Sequence, residues 1–288
     1  MVFGDKEISN YINQRFISLK VDGEKGQGPE LMKKFGVPGY PTVILLDHQG
    51  TEIERIVGFN GNKDDYLLTI KNYLTGKNTL QDYLSKLKNE PENVELNYVL
   101  AKKYLYREEK RKAREYYEKI AKLDPSDQFG YKNEAMYQIA LYDLHENKDV
   151  GSIKKFISNV SDDNYIKRAY SGLATYYRKN KNYEQMVKAY EEAVNRYALD
   201  ADLMNGFAWD IFRLKLKDKY KRGIELAELA ISIEPEADAI WDTLGQLQFE
   251  AGNVQEAIRA MQKAAELNPD EKSYKENLEM YKTALQDI

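Results

Sequence analysis

The residue types that most often carry catalytic or metal chemistry are scarce in this sequence. Its 288 residues include no cysteine and only two histidines, His48 and His145. Each histidine lies in a polar stretch typical of a turn, and neither has a second histidine at the spacing of metal ligands. The sequence therefore predicts no catalytic residue, no metal site and no cofactor, and as written it holds no thiol for disulfide exchange.

Charge and hydropathy exclude further classes of function. The formal net charge is -4, and Lys and Arg are mixed among Asp and Glu, which is not the basic patch that nucleic acid requires. No apolar run approaches the ~20 residues of a membrane span. No Ser, His and Asp grouping or carboxylate pair stands out from the charged surfaces, so a hydrolase is disfavoured.

A repeat of 34 residues organises the C-terminal two thirds of the chain. Pro235 and Pro269 lie 34 residues apart, and each ends a similar run of small and apolar residues. A third such run ends at Pro125. A period of this length is typical of stacked helical hairpins, each of which buries its apolar face against its neighbours.

The residues between these prolines resemble the tetratricopeptide repeat. Small and aromatic residues recur at the positions of that repeat, most clearly in three copies: Leu100, Ala101, Tyr104, Ala113, Tyr117, Ile120 and Pro125; Tyr170, Leu173, Ala174, Tyr177, Met186, Tyr190 and Ala193; Trp241, Leu244, Gly245, Ala257, Met261, Ala264 and Pro269. Residues 134–159 and 205–235 match less well, and the first helix of the latter is expected to be two or three residues longer. We predict about five hairpins over residues 93–269 and a capping helix over residues 270–288.

The resemblance implies an all-α superhelical solenoid whose first helices line a concave groove for a protein or peptide partner. In this register the groove comprises Tyr98, Lys102, Tyr106, Arg168, Thr175, Arg178, Asp242, Gln246 and Phe249. The Lys and Asn clamp of chaperone-binding repeats is not expected, because Tyr98 and Lys102 occupy its first-repeat positions. A solvated groove without a ligand is the alternative, since charged faces also keep a solenoid soluble.

The N-terminal residues differ from the repeats in composition and include segments typical of β-strands. Strands are predicted at residues 16–22, 42–46 and 51–57, with a turn at residues 47–50 whose Gly50 supplies positive φ. Helices are predicted at residues 28–35 and 62–74. After the helix-stopping Gly76, a linker helix is expected within residues 78–92.

The segment Gly36-Val37-Pro38-Gly39-Tyr40-Pro41-Thr42 resembles the signature loop of the thioredoxin family. The resemblance implies an incomplete α/β domain over residues 1–77, a cis Tyr40–Pro41 bond and a peptide-binding loop made of Gly39, Tyr40, Pro41 and Thr42. The family's first strand and Cys-x-x-Cys turn have no counterpart here. Either the sequence is part of a longer protein or the domain is a remnant without an active site; the open sheet edge favours the longer protein.

Two functions follow from these resemblances. The first is a protein-interaction scaffold that carries a redox-inactive thioredoxin-like domain. The alternative is a fragment of an extracytoplasmic thiol-disulfide oxidoreductase whose Cys-x-x-Cys lies upstream of Met1. A periplasmic or other extracytoplasmic location is expected if the longer parent carries a signal peptide.

Overall fold

The computed structural model describes residues 5–286. These residues fall into two compact units that divide between Ala169 and Tyr170, within a helix. The division lies inside the predicted repeat region and does not test the predicted domain limits at residues 77, 92 and 269, which stay predictions. None of the helices in the described range is long and apolar enough to cross a membrane.

The N-terminal part of the first unit is a small α/β assembly. Its elements are α1 (Lys6–Asn13), α2 (Gly28–Phe35), β1 (Thr42–Leu46), β2 (Glu52–Val57) and α3 (Lys63–Leu74). The two strands pair antiparallel around the predicted turn, in which Gly50 has a φ of 80°. α1 and α3 pack on the sheet through a core that contains Ile8, Ile12, Leu45, Tyr66, Leu67 and Ile70. The α/β character predicted for these residues is thus confirmed.

The predicted strand at residues 16–22 is wrong. The segment forms no strand, and the sheet in the described residues has only β1 and β2. Ile17 is fully exposed and Leu19 is 82% exposed. A strand is stabilised by hydrogen bonds to a neighbouring strand, and residues 5–286 provide no such neighbour for this segment. Its alternating apolar residues therefore stand in water.

Helices make up the rest of both units. They are α4 (Leu80–Asn89), α5 (Val94–Leu105), α6 (Lys110–Leu123), α7 (Lys132–His145), α8 (Val150–Asn159), α9 (Asp163–Lys179), α10 (Tyr183–Arg196), α11 (Ala201–Arg213), α12 (Tyr220–Ile233), α13 (Asp238–Glu250), α14 (Val254–Leu267) and α15 (Lys272–Gln286). Packing between consecutive helices, such as α5 with α6 and α13 with α14, confirms the hairpin architecture. α15 packs on α14. The capping role of residues 270–288, of which 287 and 288 lie outside the described residues, stays a prediction.

Small residues make the close helix contacts in the hairpins. Ala101 and Ala113 are buried in the first hairpin, with Tyr117 and Ile120 filling the space between the helices. In the last hairpin a Cβ on Gly245 would lie 3.1 Å from the methyl group of Met261. The repeating small residues in the sequence therefore set the helix separation, as expected for ridges that pack into grooves.

The fourth hairpin differs from the sequence expectation. α11 has 13 residues, the same length as α13 in the next hairpin, so its first helix is not longer. The additional residues lie in the connection, where Lys215 has a φ of 53° and Lys217–Lys219 form a short 3-10 turn. Apolar composition did not indicate where α11 ends, because Leu214 and Leu216 follow this helix within three residues.

A buried ionic cluster joins the N-terminal α/β part to the first hairpin. This Glu54 cluster consists of Glu52, Glu54, Lys103 and Arg107. The Glu54 carboxylate is fully buried and accepts hydrogen bonds from Lys103 Nζ at 2.7 Å, from Arg107 and from the backbone N–H of Leu80 at 2.6 Å. Arg107 also pairs with Glu52 at 3.1 Å. The two acidic side chains of β2 are thus neutralised by Lys103 and Arg107 at the end of the first repeat helix and by Arg55 of β2, which pairs with Glu52 at 2.5 Å.

Arg55, the next residue of β2, makes a second connection. Its guanidinium donates to the carbonyl oxygens of Phe35, Gly36 and Tyr106 at 2.7, 2.9 and 2.7 Å. Gly36 also allows its loop to lie close to the first hairpin, because its φ is 54° and a Cβ there would lie 2.7 Å from the carbonyl oxygen of Arg107. The glycine of the loop is therefore required by the contact as well as by the turn.

Truncation of Glu54 should destabilise the first unit strongly. Glu54→Ala leaves the buried Lys103 without its carboxylate and Arg107 with Glu52 alone, which typically costs ~3 to 5 kcal/mol of unfolding free energy. The exposed pair of Glu115 and Arg111 gives a matched control, since Glu115→Ala should change stability by less than about 0.5 kcal/mol. Urea unfolding of both variants measures the difference; equal effects would contradict the role of the cluster.

The contribution of Glu54 to the stability of the first unit should depend on pH. Burial alone would raise the pKa of Glu54, but the charges and hydrogen bonds of Lys103 and Arg107 lower this pKa below its ordinary value. A carboxylate with a lowered folded-state pKa stabilises fully above the unfolded value, about 4.3, and loses its contribution as the pH falls through the folded value. The difference in unfolding free energy between wild type and Glu54→Ala should therefore become smaller below about pH 4.

Candidate functional site

The predicted peptide-binding loop is partly exposed. The Tyr40–Pro41 bond is cis, as predicted, and Tyr40 is 59% exposed. The Thr42 hydroxyl donates to the Gly39 carbonyl oxygen at 2.7 Å, and the Gly58 N–H donates to the Pro41 carbonyl oxygen at 2.8 Å. These bonds hold the loop at the start of β1. Peptide binding by Gly39, Tyr40, Pro41 and Thr42 stays a prediction.

The first repeat helix presents the clearest candidate surface. Tyr98, Lys102 and Tyr106 recur every four residues on one face of the chain at α5. The Lys102 ammonium lies 5.6 Å from the centre of the Tyr98 ring and 5.8 Å from that of Tyr106. Tyr98 is stacked on Tyr131 with ring centres 4.1 Å apart. We call these four half-buried residues the Tyr98 surface.

Lys103 and Arg107 of the Glu54 cluster lie on another face of the same segment. One residue corresponds to a rotation of about 100° on an α-helix, so Lys102 and its neighbour Lys103 point in different directions. Lys103 is buried, whereas Lys102 is half-buried. The first repeat helix therefore uses one face to hold the α/β part and another to present the Tyr98 surface.

Arg168, a predicted groove residue, is engaged within its own unit. Its guanidinium forms an ion pair with Glu134 at 3.0 Å and lies 4.4 Å and 4.9 Å from the ring centres of Tyr137 and Tyr165. Glu134 also accepts from the Gln138 amide at 2.7 Å. Burial, with the nearby Glu134 carboxylate, raises the pKa of Tyr165 to about 12. The charge of Arg168 is thus neutralised by Glu134, and its guanidinium packs on two tyrosine rings.

Tyr117 adds an unusual feature beneath this region. Its side chain is 1% exposed, and its hydroxyl has no hydrogen-bond partner in the described part of the chain. Burial raises the pKa of Tyr117, with smaller contributions from Glu134, Tyr98 and Tyr106. An unpaired buried hydroxyl costs free energy, which reduces the stabilisation gained by burying the Tyr117 ring.

The predicted groove residues of the second unit also have internal partners. Arg178 donates to both carboxylate oxygens of the buried Asp210 at 2.9 and 2.8 Å. Asp210 accepts further bonds from the Tyr190 hydroxyl at 2.9 Å and from Arg213 at 3.0 Å. Thr175 is half-buried. The charge of Arg178 is therefore used to satisfy a buried carboxylate.

The last repeat places its groove residues against the capping helix. Phe249 stacks on Tyr281 of α15 with ring centres 4.2 Å apart, and the Tyr281 hydroxyl donates to Gln246 at 3.0 Å. The Gln246 amide donates to Asp242 at 3.3 Å, a weak bond by its length. Burial raises the pKa of Asp242 to about 6 despite this bond, helped by the charges of Asp238 and Glu271.

Sequence reasoning missed Tyr131, Glu134, Tyr137 and Tyr165. They belong to the second hairpin and its neighbour, where the match to the repeat pattern was weakest. The tyrosines around Glu134 were the available signal, since aromatic residues beside a charge recur at binding surfaces. Residues 5–286 contain no group of three His, Cys, Asp or Glu side chains that could hold a metal ion.

Comparison with known proteins identifies relatives of both parts. The tetratricopeptide repeat family matches residues 94–127, 167–198 and 239–271. The SPbeta prophage-derived thioredoxin-like protein YosR of Bacillus subtilis (strain 168) is 44% identical over 63 residues, which cover 22% of this chain and 78% of YosR. The match to YosR falls in the N-terminal part.

Solved structures with related helical arrays include MamA and YrrB. MamA is 19% identical with a TM-score of 0.47, and the match covers 64% of this chain and 96% of MamA. YrrB, a TPR protein with an unusual peptide-binding site, is 13% identical with a TM-score of 0.45 over 73% of this chain and 100% of its own.

Neutralising Asp242 should stabilise the second unit at neutral pH. A raised carboxyl pKa means that the charged form is disfavoured in the folded state. The penalty is absent below the unfolded pKa, grows as the pH rises to about 6 and is constant above it. Asp242→Asn should therefore gain about 3 kcal/mol at pH 7.5, because the rise is about two pKa units at about 1.4 kcal/mol each, and much less at pH 4.

Asp238, one turn earlier on α13, supplies a control of opposite sign. Hydrogen bonds from Asn268 at 2.9 Å and Tyr274 at 3.0 Å lower the pKa of Asp238. Asp238→Asn should therefore destabilise the second unit at pH 7.5. Urea unfolding of both variants at the two pH values provides the test, and a loss of stability in Asp242→Asn at pH 7.5 would refute the assignment.

Proposed function

This chain belongs to the thioredoxin-like proteins through its N-terminal part and carries tetratricopeptide repeats after it, and we propose that it is a scaffold whose first repeats bind an extended segment of a partner protein. Tetratricopeptide arrays present their first helices along a concave face suited to such segments. The bound segment would lie along α5 and make its main contacts with the Tyr98 surface.

The arrangement of the Tyr98 surface is the observation that carries this proposal. Its three tyrosine rings and one lysine are half-buried, so they offer apolar faces together with polar groups. Tyrosine is enriched at protein interfaces for this reason, since a large rigid ring contributes contact area at a low entropic cost. The stack of Tyr98 on Tyr131 fixes one of the rings before any partner arrives.

Selection of binding peptides tests the proposal directly. Dodecapeptides selected for binding to the full chain should lose affinity by about tenfold or more, equivalent to ~1.4 kcal/mol, when Tyr98 is replaced by Ala. Tyr116→Ala is the matched control, because Tyr116 also stacks on a tyrosine, Tyr104, but lies on α6. Fluorescence polarisation measures affinity, and thermal melts show that both variants are folded.

Two outcomes would count against peptide binding at this surface. In the first, the selection yields no binders above background. In the second, the binders lose affinity equally in Tyr98→Ala and Tyr116→Ala, which would indicate a loss of stability rather than of contacts.

For the thioredoxin-like part we propose a docking role without thiol chemistry. The sequence contains no cysteine, and disulfide exchange requires a thiolate nucleophile. Through the Glu54 cluster and Arg55 this part would fix the end of α5. The chain should leave the rate of insulin reduction by dithiothreitol unchanged, measured by turbidity, with a Cys-x-x-Cys thioredoxin as the positive control; an accelerated reaction would refute this role.

A second candidate is a thiol-disulfide oxidoreductase in which this chain is one part of a longer protein. The exposed Ile17 and Leu19 beside a two-stranded sheet favour it, because a further strand would give the segment 16–22 its missing neighbour. Mass spectrometry of the protein purified from its source would decide. A mass equal to that of the 288 residues would exclude this candidate.

A further inference from the structure

We propose that Lys102 is the specificity-determining residue of the binding surface and that it selects an acidic side chain, Asp or Glu, within the bound segment. This inference rests on the proposed peptide binding at the Tyr98 surface. It adds the chemistry of the partner, and it leaves the remaining contacts to the tyrosine rings.

The charge of Lys102 is unmatched, unlike that of the other predicted groove cations. Arg168 is paired with Glu134 at 3.0 Å, and Arg178 is paired with Asp210 at 2.8 Å. No carboxylate in residues 5–286 lies within ion-pair distance of the Lys102 ammonium. A partner segment that lies along α5 therefore meets, in Lys102, a cation whose charge is not already neutralised by the chain.

The surroundings of Lys102 add hydrogen-bond donors to this charge. Tyr98 and Tyr106 flank the ammonium on two sides, and burial raises the pKa of Tyr98, so its hydroxyl stays protonated at neutral pH. Contact with ring faces leaves ammonium N–H groups free to donate. An ammonium that lies between two tyrosine rings and keeps its N–H groups free matches an anionic group that accepts several hydrogen bonds, which is the chemistry of a carboxylate.

The location of Lys102 favours a side-chain carboxylate over a chain terminus. Lys102 lies in the third turn of the twelve-residue α5, between two tyrosines that are four residues away on either side. A segment that packs on both rings passes over the ammonium in its interior rather than at its end. The occupant is therefore an internal Asp or Glu flanked by residues that contact the rings.

Peptide selection with charge-reversed variants tests the inference. Dodecapeptides displayed without a free C-terminal carboxylate are selected against the full wild-type chain, Lys102→Glu and Lys119→Glu. Lys119 is the matched control, since its ammonium lies 5.0 Å from the ring centre of Tyr116 but on α6, where it is exposed. Thermal melts of the variants confirm folding, and Lys102→Met serves as a milder second variant.

The expected result is a wild-type pool enriched in Asp or Glu at one position. The bias should disappear with Lys102→Glu and persist with Lys119→Glu. For the best peptide, Glu→Gln should weaken binding to the wild type by about tenfold and have no further effect on Lys102→Met, and binding should weaken at high salt.

Each alternative outcome has one meaning. Peptides that need Tyr98 but show no acidic bias would overturn the inference and leave the proposed function standing. An acidic bias that persists in Lys102→Glu would overturn it as well. Binding that requires a free C-terminal carboxylate, found in a parallel pool displayed with open C-termini, would overturn the assignment to a side chain. Peptides indifferent to both Tyr98→Ala and Lys102→Glu would overturn the proposed function too.

Discussion

The neutralisation of Glu54 by Lys103 and Arg107 is the interaction on which the arrangement of the first unit depends. A fully buried carboxylate is expensive to remove from water unless cations and hydrogen bonds replace its solvation. Here the two cations come from α5 and the residue just beyond it, and the carboxylate comes from β2. The contact replaces this lost solvation with charged hydrogen bonds between the two parts, so it fixes how the small α/β part, whose sheet has two strands within residues 5–286, lies on the first repeat.

Buried carboxylates of the repeats are likewise satisfied by hydrogen bonds and cations from the chain. Asp124 is buried after the first hairpin and accepts from the backbone N–H groups of Gln128 and Phe129 at 2.7 and 2.9 Å. Asp210 is buried in the second unit and is satisfied by Arg178 and Tyr190. Buried polar groups must find partners, so several residues that look free in the sequence are consumed by the fold. The chemistry left for a partner is what this internal pairing does not use.

Much of the fold could be predicted because local signals agreed with tertiary packing. Residues 28–35 and 42–46 form the expected helix and strand, and a helix at 80–89 lies within the expected range of 78–92, since apolar runs and turn glycines indicated these limits. The segment 16–22 has an equally good strand pattern, but pairing with a neighbour decides whether a strand forms. A pattern within one segment carries no information about the presence of that neighbour.

The candidate site was predictable only in part, for a similar reason. The repeat period correctly placed Tyr98, Lys102 and Tyr106 together on the first repeat helix. It could not show that Arg178 is paired with Asp210, which lies 32 residues away in the sequence. Helical periodicity gives the direction of a side chain but not its partner, so a groove read from register alone overstates the number of available charges.

Lys102 and Lys103 show how one helix serves both parts of the molecule. They are adjacent and chemically identical, yet Lys103 is buried against Glu54 while Lys102 lies between two tyrosine rings. The difference arises from the rotation of about 100° between successive residues of an α-helix. Because α5 is a continuous helix of 12 residues, the Glu54 cluster on one face of the helix also fixes the orientation of the face that carries Lys102. The Glu54 cluster therefore does more than join two parts: it also fixes the orientation of Tyr98, Lys102 and Tyr106, and in the proposed function this would lower the entropic cost of binding.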